Sequence, residues 1–96
     1  MILHTLNASA DAAAFRDCLA AAASSDAIVL LGDGVYAALP GTASATALAD
    51  CPARVLALDT DVLAAGLEQR LGAFQQVDMD GLVALSEYYP RQVAWY

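Results

Sequence analysis

The sequence contains no lysine. Its four cations are all arginine, set against eleven aspartates and glutamates for a formal net charge of -7. A chain of that sign has little to offer a phosphate backbone or an anionic lipid surface, so direct nucleic-acid or membrane binding is not expected. Charge of either sign is scarce, at 16% of residues against 59% apolar. So thin a polar supply leaves apolar surface on a small body, either exposed or covered by partner proteins. No apolar run reaches the roughly 18 residues that span a bilayer, and no basic segment leading into an apolar stretch opens the chain. Cytoplasmic residence is the expectation. The only two cysteines, Cys18 and Cys51, fit no CxxC or metal-ligand spacing and are read as free thiols. No cofactor and no metal site is expected. At 96 residues there is room for one domain, 1–96, with one core.

What is present is a regular alternation of short apolar runs with alanine-rich segments. Ile2 to Leu6 reads as a first strand, with Asn7 and Ser9 available to cap the helix that follows. From Ala10 to Ala23, Phe15, Cys18, Leu19 and Ala22 fall on one helical face. Ala27 to Leu31 is continuously apolar, the pattern of a parallel strand covered on both faces. Gly32-Asp33-Gly34 ends it, and Val35 to Leu39 makes part of a helical turn before Pro40-Gly41. Thr42 to Asp50 reads as a short helix and Arg54 to Leu58 as a third strand. Asp59, Thr60 and Asp61 are cap candidates for a helix through Val62, Leu63 and Leu67 that closes near Gly72. Phe74 to Val77 is a fourth strand, Asp78 or Asp80 caps a helix limited by Pro90, and Arg91 to Tyr96 is a tail that can extend along a sheet edge. The expected fold is therefore α/β, three layers (α/β/α) around a mainly parallel sheet of four to five strands.

Few residues offer chemistry. Asn7, Asp33, Asp59 and Asp61 lie toward the carboxyl ends of the strands, where open α/β sheets bind ligands, yet turns and helix caps also favour these residue types. Gly32 to Ala37 fits a loose GxGxxG/A pattern, but the long helix that would hold a pyrophosphate is cut short by Pro40-Gly41. His4, the only histidine, lies inside the first strand, where a hydrogen-bonded core role is the simpler reading. Cys18 is placed in mid-helix beside Phe15 and Leu19, which favours a packed thiol over a reactive one. Tyr88, Tyr89, Trp95 and Tyr96 concentrate aromatic residues near the end of the chain, either as interface anchors or as the closing part of the core.

Several segments together resemble the TusB/DsrH family of the wider DsrE-like group. They are Met1 to Leu6, Leu30 to Ala38, Val55 to Leu58 with Asp61 and Gly66-Leu67, and a close through Val77-Asp78, Leu82-Val83, Pro90 and Trp95. The resemblance runs nearly end to end. It implies a three-layer fold and a place as a small subunit beside TusC/DsrF-like and TusD/DsrE-like partners. In such assemblies persulfide sulfur passes between cysteines, in the Tus branch toward 2-thiouridine at the tRNA wobble position. The principal sulfur-carrying cysteine belongs to the TusD/DsrE-like subunit, whereas DsrH-type members carry one early in the chain, and Cys18 matches that position. Where members often have Arg before the Gly-Leu pair, this chain has Ala65.

The leading expectation is thus a non-catalytic subunit of a cytoplasmic sulfurtransferase complex. A DsrH-type role in oxidative sulfur metabolism, with Cys18 as the persulfide-accepting thiol, is the alternative that gives the chain its own chemistry. A small-ligand-binding α/β module using the Asp33 and Asp59 edge is the third. Self-association of the isolated chain is left open.

Overall fold

The computed structural model describes residues 1–96. Five strands, β1 (Ile2–Leu6), β2 (Ala27–Leu30), β3 (Arg54–Leu58), β4 (Gln76–Val77) and β5 (Arg91–Trp95), form one parallel sheet in the order β4-β3-β2-β1-β5. The helices are α1 (Ala13–Ala21), α2 (Ala43–Asp50), α3 (Asp59–Ala64) and α4 (Met79–Tyr88), with a 3₁₀ helix over Gly32–Ala38.

The strand order dictates the layers. From β1 to β4 the chain always steps in one direction, and right-handed crossovers then put the intervening helices on one face of the sheet. The last connection runs back from β4 at one edge to β5 at the other, so α4 must cross the opposite face. The two hydrophobic clusters follow this division. Phe15 and Cys18 of α1, Val35 of the 3₁₀ helix, Leu48 of α2 and Val62 of α3 pack with Leu6, Ile28, Leu30 and Ala57. On the other face Leu82 and Leu85 of α4 pack against Leu3, Val29, Leu56 and Leu58, alternate residues of the same strands. β2, at the centre, is buried at every position, which is why its sequence does not alternate.

Local chemistry fixes several boundaries. Thr42 caps α2 by accepting from the Ala45 N–H, and Asp78 caps α4 by accepting from the Gly81 N–H at 2.7 Å. Four expectations change. Asn7 and Ser9 do not cap α1: the Ser9 hydroxyl donates to Asp11, and the N-cap position is Ala12. Asp59 and Asp61 do not cap α3, which begins directly from β3 with Leu58 at the N-cap. That helix also ends early, because Gly66 takes φ +74° and turns the chain. Leu67 and Leu71 still reach the core, carried there by turns rather than by helix. The fourth strand contracts to Gln76–Val77, and the tail becomes β5, paired in register with β1 from Ile2↔Arg91 to Leu6↔Trp95.

Candidate functional site

The carboxyl ends of β2 and β3 do open onto a hollow, but the acidic residues named for it are divided. Gly32, Asp33, Tyr36, Asp61, Ala64 and Ala65 line a space of about 170 Å³. Within it Asp61 Oδ2 accepts from the Gly32 N–H at 2.8 Å, so this carboxylate ties the turn after β2 to α3. Ala65 stands on the wall beside the two aspartates and offers them no cation. Asp59 faces a separate depression with Thr60, Leu63, Glu68 and Gln76, and its Oδ1 is enclosed without a hydrogen-bond partner. No three His, Cys, Asp or Glu side chains are grouped so as to hold a metal ion.

The glycines of the Gly32-Asp33-Gly34 turn have structural reasons. Gly32 adopts φ +50°, and a side chain on it would run into Asn7. Gly34 lies against the Leu6 carbonyl so closely that no Cβ fits between them. The turn therefore seats the 3₁₀ helix on the end of β1. A 3₁₀ helix closed by Pro40 lacks the aligned α-helical N–H groups that bind a pyrophosphate.

His4 is buried at 1% exposure and has both ring nitrogens engaged. Trp95 Nε1–H donates to His4 Nδ1 at 3.0 Å, which places the ring's proton on Nε2, from where it donates to Asp26 Oδ2 at 2.9 Å. The Trp95 and His4 rings stack, with centroids 6.2 Å apart. Asp26 also accepts the N–H groups of Ile2 at 2.9 Å and Ala23 at 3.0 Å, and the Met1 ammonium lies 3.9 Å away. Burial works to raise the Asp26 carboxyl, but the hydrogen bonds from Ala23, His4 and Ile2 outweigh it and hold the group at about 2. No nucleophile enters this network. It binds β1, β2 and β5 together, as the core reading of His4 requires. Asp26 is not among the candidates that the sequence offers, since Ser-Ser-Asp reads as a helix break; its signal is its position one residue before the most buried strand, in a chain with a lone strand histidine.

Cys18 is fully enclosed on α1, and burial pushes its thiol up to about 12, with Cys51 adding to the rise. Thiolates are the nucleophiles in sulfur transfer, so at neutral pH this group is in its unreactive form. Cys51 follows α2, half-buried among Leu48, Ala53, Val55 and Phe74, and both thiols are free.

The surface of α4 and β5 differs in kind. No residue of α4 is fully buried, and four of the five residues of β5 are exposed. Met79, Val83, Tyr88, Val93 and Tyr96 all present large apolar groups to solvent, Tyr88 at 70% exposure. Tyr89 instead turns inward, edge-on to Tyr88 at 5.3 Å, and joins the cluster beneath α4. The aromatic end of the chain thus divides, with Trp95 and Tyr89 serving the core and Tyr88 and Tyr96 left outside. No helix is long and apolar enough to cross a membrane.

Known proteins share this arrangement. Residues 8–92 match the family described as DsrH like protein. Protein TusB of Sodalis glossinidius (strain morsitans) is 36% identical over 95 residues, covering 98% of this chain and all of that one. Protein TusB of Escherichia coli (strain K12 / DH10B) is 34% identical over the same share of both. Among solved structures, the ychN protein from E. coli superposes with a TM-score of 0.77 at 14% identity, over 98% of this chain and 97% of that one, a likeness of fold. Protein Tm0979 from Thermotoga maritima gives 0.70 at 25% identity, over 92% and 93%. A family match across most of the chain, with relatives of equal length above 30% identity, establishes that this chain belongs to the TusB/DsrH family of sulfur-relay proteins.

Proposed function

We propose that the chain is a subunit of a cytoplasmic TusBCD-like complex and supports persulfide transfer toward 2-thiouridine at the tRNA wobble position without carrying the sulfur itself. The observation that carries this reading is the full-length similarity to Protein TusB joined to a buried Cys18 whose thiol stands at about 12. An acceptor must expose a thiolate to the incoming persulfide, and Cys18 offers neither exposure nor charge. The partners are TusC-like and TusD-like chains, and the exposed apolar faces of α4 and β5 are the surface such partners would cover.

Co-expression with the TusC-like and TusD-like chains of the same organism should give one comigrating assembly, and deletion of this chain should lower wobble 2-thiouridine in digested tRNA. Complementation with Cys18→Ser should restore the thiouridine to the wild-type level. A chain that stays unbound beside those partners would sink the subunit reading.

The DsrH-type alternative makes Cys18 the acceptor. A donor R–S–SH and a Cys18 thiolate would give R–S⁻ and Cys18–S–SH, sulfane sulfur moving with no net oxidation. That route needs α1 to open, and mass spectrometry would show one added sulfur on Cys18 after exposure to a loaded donor. Loss of tRNA thiolation in Cys18→Ser would favour it over the structural role.

A further inference from the structure

On the face left for partners, α4 and the start of β3 enclose a groove. Its volume is about 550 Å³, and it is lined by Arg54, Gly81, Ala84, Leu85, Tyr88 and Tyr89. Gly81 and Ala84 contribute small residues to the lining. Leu85 and the tyrosine pair give it apolar walls. Arg54 is the only charged residue on the lining.

That guanidinium is largely unoccupied, although the chain carries eleven carboxylates. Its Nε donates a long 3.4 Å bond to Gln75 Oε1, and the two terminal nitrogens have no partner. No carboxylate lies within 4 Å of its nitrogens, so neither Asp80 nor Glu87 of α4 reaches Arg54. A free, planar guanidinium fork beside apolar walls is matched in shape and charge by a carboxylate, which it binds through two parallel hydrogen bonds. The hydroxyls of Tyr88 and Tyr89 make no hydrogen bond within the chain and can add donors at the rim. A phosphodiester strand is poorly matched, because one cation in a chain of net charge -7 cannot hold a polyanion.

We propose that this groove docks an extended segment of a partner protein through an aspartate or glutamate side chain. The carboxylate sits on the Arg54 fork and its aliphatic stem lies over Gly81 and Ala84, between Leu85 and Tyr88. Tyr88, already 70% exposed, is then the aromatic anchor of the contact. This assignment rests on the reading of the chain as a subunit, and names the chemistry by which it is held.

The test uses the co-expressed complex with the TusC-like and TusD-like chains. Arg54→Glu should weaken assembly about tenfold or more, and Arg54→Lys, which keeps the charge but loses the fork, should fall between it and wild type. Ala84→Trp should also block assembly by filling the groove while Arg54 stays in place. Arg54 and Ala84 are exposed, so melting of the isolated variants should match wild type, and Arg70→Glu, an exposed charge reversal elsewhere, should assemble normally. Arg54→Glu and Ala84→Trp variants that assemble like wild type overturn the groove assignment and leave the subunit reading standing. An equal loss in Arg70→Glu overturns it as well, by tracing the effect to net charge. Failure of the wild-type chain to assemble removes both.

Discussion

Asp26 accepts three hydrogen bonds inside the protein, from Ile2, Ala23 and His4, and each of its oxygens faces a donor. Replacing it by asparagine turns one of those oxygens into an NH₂ that confronts an N–H. Asp26→Asn is therefore expected to cost about 3 kcal/mol, read from urea unfolding, because buried donors lose their acceptor. The acid response follows with a definite sign. An aspartate unfolds with a pKa of about 3.9 and is held here at about 2, so its stabilising contribution is complete above about pH 4 and disappears as the pH falls through about 2. Urea midpoints should drop across that window in the wild type and respond much less in Asp26→Asn. The cysteines differ in the same physical terms: iodoacetamide should modify half-buried Cys51 first and reach Cys18 at the rate of unfolding, which timed mass spectrometry would resolve. At this scale His4 is legible as a core histidine because an apolar strand surrounds it. Asp26 is harder to see, because two of its three partners, Ile2 and His4, are distant in the chain and its place just before β2 is the only local sign of it.

Caps and turns show where local chemistry decides an element and where a neighbour overrides it. Thr42 and Asp78 precede their helices and bond the expected N–H groups, so Thr42→Ala or Asp78→Ala should each lower stability by about 1 kcal/mol in thermal melts. Asp61 carries the same local signal, but the Gly32 N–H at the end of the neighbouring strand β2 claims its carboxylate. That competition depends on the parallel alignment of β2 and β3, which no local pattern expresses. Gly34 is a sharper case. Its glycine was legible as turn chemistry, whereas the close approach to the Leu6 carbonyl is a tertiary fact, and Gly34→Ala should cost about 2 kcal/mol by forcing β1 and the 3₁₀ helix apart. A variant as stable as wild type in guanidinium would show that the contact relaxes freely.

A mainly parallel sheet of four to five strands, with a tail able to extend along its edge, could be read from the alternating runs, but the distribution of helices between the faces could not. It follows from strand order: because only β4-to-β5 reverses direction, one ten-residue helix covers the face that Leu3, Val29, Leu56 and Leu58 line. A helix of that length is about 15 Å long and cannot cover five strands alone. The result is an asymmetric molecule, closed by α1, α2, α3 and the 3₁₀ helix on one side and thinly covered on the other. Such a face opens locally at lower cost than the centre, since fewer buried contacts hold its amides. Hydrogen exchange on the isolated chain should therefore find α4 and β5 exchanging well before β1, β2 and β3. Addition of the TusC-like and TusD-like chains should slow α4 and β5 selectively. Protection appearing instead on α1 and α2 would place the partners on the closed side, and the apolar residues of α4 would then need another explanation.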